Sequence, residues 1–334
     1  NAPASIDLAS SIPGTIGSTT FNWTATAVDP TKVTPSSLFG STNGPLSLTF
    51  QNSGDAPENV NLEITPVSNN CTGATVNYVL TINPTPAVGF NTFGNPPNPQ
   101  VICSGANSTA VTLASNVTTP VPAFSWSVAC DPLNISNCPP DGNGSIIPAV
   151  NPVNLTGLAQ DIIYSVTASI PASGSQVCYG PPAASTIHVN PKPALANTVL
   201  SQEVCAGLQS NLVTLDPFPL ASGVTFDWTA TPSVPAVTGF TAGATGSLLI
   251  PVETILNPLQ SREFVDYEIT PVLAGGGSCV GDVQTYRIWV NPVPKPVISG
   301  PLQVCYDQSG SVYNTPDAVN NEFIWDVTGE VSFS

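Results

Sequence analysis

The sequence predicts an all-β chain of tandem two-sheet sandwich modules in an elongated array. Three observations carry that expectation: markers that recur about every 100 residues, apolar positions that alternate within each repeat, and proline-rich joints between repeats. No stretch shows sustained helical periodicity. Thr, Val and Ile are abundant, and the 26 Gly and 36 Pro punctuate the 334 residues at strand-and-turn intervals.

Four tryptophans share one frame, in Phe21-Asn-Trp23, Phe124-Ser-Trp126, Phe226-Asp-Trp228 and Phe323-Ile-Trp325, spaced 103, 102 and 97 residues apart. Asn-Pro-x-Pro recurs at Asn83–Pro86, Asn190–Pro193 and Asn291–Pro294. A cysteine after Val or Ile recurs at Cys103, Cys205 and Cys305, and a later one at Cys71, Cys178 and Cys279. The shared order divides the chain into a partial repeat over 1–84, complete repeats over 85–191 and 192–292, and a partial repeat over 293–334. Leu113-Ala-Ser115 follows Cys103 by ten residues, so Leu8-Ala-Ser10 puts the matching cysteine of the first repeat upstream of residue 1. The last repeat stops soon after Trp325, and the sequence contains no Met. It is therefore expected to be a window on a longer protein.

Each element follows from its pattern. Phe21-x-Trp23-x-Ala25, Phe226-x-Trp228-x-Ala230 and Phe323-x-Trp325-x-Val327 alternate as strands with one buried face. Val60-x-Leu62-x-Ile64 and Val265-x-Tyr267-x-Ile269 give a second strand. Leu80-x-Ile82, Ile187-x-Val189 and Ile288-x-Val290 give a last strand that runs straight into Asn-Pro. About seven strands per 100 residues, with Trp on an inner strand, is the pattern of an immunoglobulin-like sandwich in which the Trp is core. Proline fixes φ and lacks a donor, so the last strand must end at Asn-Pro-x-Pro. The joint then stays extended and semi-rigid.

The eight cysteines read as disulfides, because no Cys-x-x-Cys pair occurs and one His cannot complete a mixed metal site. Register expects Cys103 with Cys178 and Cys205 with Cys279, each closing a complete repeat across its neighbouring first and last strands. Cys130 and Cys138, in an insertion after the second Trp strand, are expected to pair with each other. Cys71 and Cys305 are left without partners within the sequence. The alternative is a set of free buried thiols. Disulfides would place the chain in an oxidising, extracellular setting.

Composition excludes several functions. Five Lys+Arg against 21 Asp+Glu give a net charge of −16, which leaves no basic face for nucleic acid or an anionic membrane surface. That charge divides as −4, −3, −5 and −4 over the four repeats, so it is a mild, distributed repulsion that favours solubility. No apolar run is long enough to span a bilayer as a helix.

No catalytic constellation emerges. His188 sits between inward-facing Ile187 and Val189 and is expected at the surface; Thr81 and Trp289 take its place in the other repeats. Glu263, Asp266 and Glu268 form the densest acidic group, but Asp266 and Glu268 share a strand face opposite the buried Val265 and Tyr267. A solvated face is expected rather than a glycosidase pair. Asp141-Gly-Asn-Gly reads as a plain turn rather than a weak calcium site, and Gly275-Gly-Gly277 as a turn preceding Cys279. Seven Asn-x-Ser/Thr sequons (Asn22, Asn70, Asn107, Asn116, Asn134, Asn143, Asn154) follow from the Thr/Ser/Asn-rich composition. No catalytic residue, metal or cofactor is expected, and no enzyme.

Repeats one and three share Phe-x-Trp-Thr-Ala-Thr (21–26 and 226–231), Glu-Ile-Thr-Pro-Val (63–67 and 268–272), a Cys and a closing Asn-Pro-x-Pro. This set resembles the PKD-like modules strung along giant surface proteins of gliding and related Bacteroidota. Pro296-Val-Ile-Ser-Gly-Pro-Leu-Gln-Val-Cys305 of the last repeat, followed by Tyr313 and Phe323-Ile-Trp325, is similar to a second PKD-like variant. Repeat two departs, with Ser-Val-Thr-Ala in place of Ile-Thr-Pro and with the extra cysteines. The resemblance implies export by the type IX system, gliding-associated cell surfaces, and a structural or adhesive role as a stalk or filament. The partners it implies are surface glycans, other cells or the secretion and motility machinery. The alternative is carbohydrate- or polymer-binding modules of a larger secreted enzyme, for which Trp289 and Tyr179 are the candidate exposed aromatics.

Overall fold

The computed structural model describes residues 4–8, 19–90, 95–172, 176–220, 223–274, 278–295, 297–305, 309–315 and 324, and divides into two compact units, residues 1–192 and 193–334. Among the described residues every regular element is a β-strand. Phe323, Trp325 and Gly275–Gly277 lie outside the described residues, so the fourth tryptophan strand and that glycine turn are not placed.

One topology recurs, complete in the second and third modules and, among the described residues, without its first strand in the first. In the second module the main sheet runs from a first strand (Gln100–Cys103) to the last strand (Ala183–Asn190), the long strand (Gln160–Pro171), the Trp strand (Ala123–Ala129) and an edge strand (Gly142–Asn143). The third module repeats this order with Ser201–Cys205, Gln284–Asn291, Glu263–Leu273, Val224–Pro232 and Gly243–Ser247. In both, the first strand is parallel to the last, and all other pairs in the main sheet are antiparallel. A smaller facing sheet is made of short pairs, such as Val111–Thr112 with Ile146–Ile147. The first module has the edge (Ser37–Thr42), Trp (Thr20–Ala27), long (Glu58–Ser68) and last (Val76–Ile82) strands, with Ala4–Ile6 paired to Leu46–Leu48 opposite. The expected tandem immunoglobulin-like sandwich is the observed fold.

Period-two burial makes these strands. Phe21, Ala25 and Ala27 point inward while Asn22, Thr24 and Thr26 face out; Val265, Tyr267 and Ile269 are fully buried. Trp126 and Trp228 are core residues, and Trp23 packs against the first core from its rim. Removing such side chains from water is the main stabilising term of each sandwich. The last strand differs between modules. Ile187, Val189, Ile288 and Val290 are buried, whereas Leu80 and Ile82 are only half-buried.

A buried asparagine, which the repeat frame did not single out, locks each module. Asn52, Asn154 and Asn257 stand just before the long strand. Their amides donate to the carbonyls of Ala56 and Ile82 (both 2.8 Å), Leu158 and Val189 (2.7 and 2.8 Å), and Ser261 and Val290 (2.8 and 3.0 Å). Each side-chain oxygen also accepts a backbone N–H two residues on. A compact polar turn is thus tied to the end of the last strand, where the proline joint begins. Asn154 belongs to one of the sequons, and its burial removes that amide from glycosylation.

The cysteine pairing is corrected. Cys130 and Cys138 form the expected bridge, with Cα atoms 5.9 Å apart. Cys178 and Cys205 carry free thiols, as does Cys71, so neither Cys103–Cys178 nor Cys205–Cys279 is closed. Cys103 and Cys279 do not carry free thiols. The reason is strand direction. The parallel first strand brings Cys103 opposite Asn190, level with the start of the long strand at Gln160, while Cys178 lies opposite Ile170 near that strand's far end. Ten residues at about 3.3 Å each separate those levels by roughly 33 Å, against the ~7 Å limit between bridged Cα atoms. The third module repeats the problem, with Cys205 opposite Asn291 and Cys279 opposite Leu273.

Candidate functional site

The joint between the first two modules is the most constructed site among the described residues of the first unit. Proline ends the last strand at Asn83-Pro84, and the chain then crosses the end of the second module. The Pro86 carbonyl lies on the Cα of Gly180, leaving no room for a Cβ at that position. The Gly180 N–H donates to Ala168 at 2.9 Å, which fixes the glycine under the joint. The Asn116 oxygen accepts the Ala87 N–H at 2.6 Å, and its amide reaches the Thr85 carbonyl at 3.4 Å. Thr118 N–H donates to the Asp55 carbonyl at 3.0 Å, and the Asn83 amide rests on Cys178 Sγ at 3.9 Å. Within the second unit the pattern returns: Pro193, in the next Asn-Pro-x-Pro, lies in the same way on Gly281. Proline therefore does more than stop a strand; its carbonyl seats the joint on a glycine of the following module.

The other candidates are packed or solvent-facing. His188 points outward, and its Nδ1 contacts Asp161 Oδ1 directly across the strand pair. Sequence reading missed that partner, because the register of the two strands is needed to find it. Asp266 is gripped by Arg287 through two hydrogen bonds of 2.6 and 2.7 Å, and Glu268 stays exposed on the same face. Glu263 accepts hydrogen bonds from Ser261 (2.6 Å) and Ser233 (2.7 Å), which hold its carboxyl below the usual range. Asp266 and Glu263 are engaged by different partners and Glu268 faces solvent, so the three carboxylates do not converge.

Asp141 accepts the Val128 N–H at 2.7 Å, and Gly142-Asn143 forms the edge strand beside Trp126 instead of a plain turn. A Cβ on Gly142 would stand 2.6 Å from the Trp126 ring, so this glycine serves the core. Trp289 is covered: the guanidinium carbons of Arg262 and Arg287 lie 4.3 and 5.0 Å from its ring, and Phe264 meets it edge-on at 5.3 Å. Two of the chain's five basic residues are thus spent on one indole. Tyr179 is 67% exposed and lies opposite Ser169. No helix of the described structure is long and apolar enough to cross a membrane.

Comparison with solved structures finds tandem arrays at low identity. An I-band fragment of titin is 11% identical, with 88% of this chain and 97% of that chain covered and a TM-score of 0.38. Extracellular cadherin domains 3–6 of protocadherin gamma B2 are 9% identical over 87% and 78%, with a TM-score of 0.31. A three-domain fragment of mouse cadherin-23 is 12% identical over 82% and 86%, with a TM-score of 0.29. No curated protein matches. The family model described as PKD-like domain matches residues 3–86, 100–193 and 202–294, in register with the three sandwiches. On those three matches, which span most of its length, the chain belongs to the PKD-like domain family.

Proposed function

We propose that this chain is a structural and adhesive repeat region of a secreted cell-surface protein, a segment of stalk or filament without catalysis of its own. The carrying observation is the joint: a proline carbonyl seated on Gly180, with Asn116 and Cys178 holding the crossing chain and Thr118 bonded to Asp55 of the first module. Such construction suits a region that must keep successive modules in fixed order and spacing. The covalent Cys130–Cys138 bridge and the near absence of Lys and Arg suit an oxidising, protease-exposed surface. Export by the type IX route, and surface glycans, other cells or the motility machinery as partners, belong to the same proposal.

The polymer-binding alternative loses its main support, because the Trp289 ring carries an arginine over it instead of a free face. The test is antibody labelling of the cells that encode the chain. Label on intact cells is expected. Label that appears only after permeabilisation would overturn the proposal.

A further inference from the structure

The main-sheet edge beside the Trp strand is blunted in two modules and open in one. In the second module that edge strand is only Gly142–Asn143. In the third, Gly243–Ser247 shifts register between Phe226 and Trp228, and Gly246 takes a φ of +63°. Short or irregular edges resist pairing with another chain. The first module has neither device. Ser37–Thr42 pairs without a break, from Thr42 opposite Phe21 to Ser37 opposite Thr26, and among the described residues nothing pairs with its other side. The strand contains no charge and no proline, and Phe39 near its middle is 84% exposed.

Backbone direction decides what this edge can accept. The Ala27 N–H donates to the Ser36 carbonyl at 2.8 Å, which makes those two a hydrogen-bonded pair. Bonded and non-bonded pairs alternate along an antiparallel ladder. Leu38, Gly40 and Thr42 therefore direct their backbone groups to the Trp strand, and Ser37, Phe39 and Ser41 turn theirs to the open side. The side chains of Ser37, Phe39 and Ser41 are exposed on the outer face, while Leu38 packs against the first core.

We infer that this edge pairs with a second copy of itself, antiparallel about a two-fold axis at Phe39. With Phe39 opposite the partner's Phe39, Ser37 falls opposite the partner's Ser41, and every outward backbone group meets its complement. The contact is isologous and closes on itself. On the outer face the two Phe39 rings meet across the axis. On the inner face Leu38 falls opposite the partner's Gly40, which backs directly onto its own indole: a Cβ on Gly40 would stand 2.9 Å from the Trp23 ring. Leu38 thus extends the apolar core over a tryptophan that its own module leaves at the rim.

Charge permits the contact and area sets its strength. On the outer face the row from Phe39 runs through Thr24 to Glu63. Across the axis the two Glu63 positions are about five strand spacings apart, roughly 24 Å, well beyond the ~8 Å screening length at physiological salt. The two Phe39 rings supply roughly 300 Å², which puts the contact among weak, transient interfaces below ~1,200 Å². Chains held side by side on a surface multiply such a contact through effective concentration. A like chain is then a partner for the adhesive role. The inference rests on that reading only for its setting, because association of the purified chain does not depend on where the protein resides.

The experiment is sedimentation velocity over a dilution series of the full chain, its free thiols alkylated beforehand so that no intermolecular disulfide can form. A reversible monomer–dimer equilibrium is expected. Phe39→Lys should weaken it at least about tenfold. Leu133→Lys, at an equally exposed position of the second module (84%), should leave it unchanged. Hydrogen exchange under dimer-forming conditions should slow at the amides of Ser37, Phe39 and Ser41 and stay the same at Leu38 and Gly40. A chain that is monomeric at every concentration, equal weakening by both substitutions, or a dimer without protection at Ser37, Phe39 and Ser41 would each overturn the inference. Antibody label confined to permeabilised cells would overturn the cell-surface reading and leave this equilibrium in place.

Discussion

The amide of Asn154 donates to the carbonyl of Val189 at 2.8 Å, fastening the turn before the long strand to the end of the last strand. The same amide holds Leu158, and the oxygen takes the Thr156 N–H and hydroxyl. Asn154→Ala would strand two carbonyls at a site that admits little water. It should destabilise the second module by about 2–4 kcal/mol, read by pulse proteolysis in urea. The exposed Asn22→Ala should stay within about 0.5 kcal/mol. Equal effects from both substitutions would contradict the locking role.

Why those asparagines escaped sequence reading, while the strands did not, is a matter of contrast. Phe21-x-Trp23-x-Ala25 announces itself because burial alternates with the strand period and few residue types tolerate it. Asn52, Asn154 and Asn257 are short polar residues among many in turns, and nothing in their types marks them as buried. Their spacing of 102 and 103 residues matches the tryptophan frame, and that signal would have found them. The cysteines failed differently. Adjacency of first and last strands was legible and correct, but adjacency does not give direction. A parallel first strand carries Cys103 to the end of the sandwich opposite Cys178. Likewise His188 was legible as outward-facing, but Asp161 needed the register.

Strand direction makes the thiol chemistry predictable. Alkylation of the unreduced chain should label Cys71, Cys178 and Cys205, with Cys130 and Cys138 appearing only after reduction. A cross-linked peptide joining Cys103 to Cys178, or Cys205 to Cys279, would refute the observed topology. Replacing Cys130 and Cys138 by Ser together should cost about 2–3 kcal/mol, the chain-entropy value for so short a loop. Thermal unfolding of the double variant checks it.

Tyr164 is fully enclosed, its hydroxyl has no hydrogen-bond partner, and burial pushes its phenol up to about 12. The raised value means that the neutral form is favoured in the folded state. The associated stability is complete below the ordinary value of 10.0 and is lost as pH rises from there towards 12. Tyr164→Phe should therefore flatten the alkaline loss of stability in the second module. Near neutrality it should be neutral or stabilising by up to about 1 kcal/mol, because an orphaned buried hydroxyl is removed. Phenolate absorbance followed against pH, alongside melting curves, measures both effects. A loss of several kcal/mol at pH 7 would show that the hydroxyl has a partner after all.

Glu263 supplies the acid counterpart. The hydroxyls of Ser261 and then Ser233 hold its carboxyl below the ordinary value of 4.5, against a smaller opposing effect of burial. Here the ionised form is favoured on folding. The contribution is present above pH 4.5 and disappears as pH falls through the lowered folded value. Ser233 also accepts the Phe264 N–H at 3.1 Å, so its hydroxyl links the carboxylate to the start of the long strand. Glu263→Gln should lower the melting temperature of the third module at pH 6–7, and the difference from the unmodified chain should shrink towards zero by about pH 3. Ser261→Ala should reproduce part of that pattern. A difference between the two proteins that stays constant from pH 7 to pH 3 would mean that Glu263 acts through packing and not through its charge.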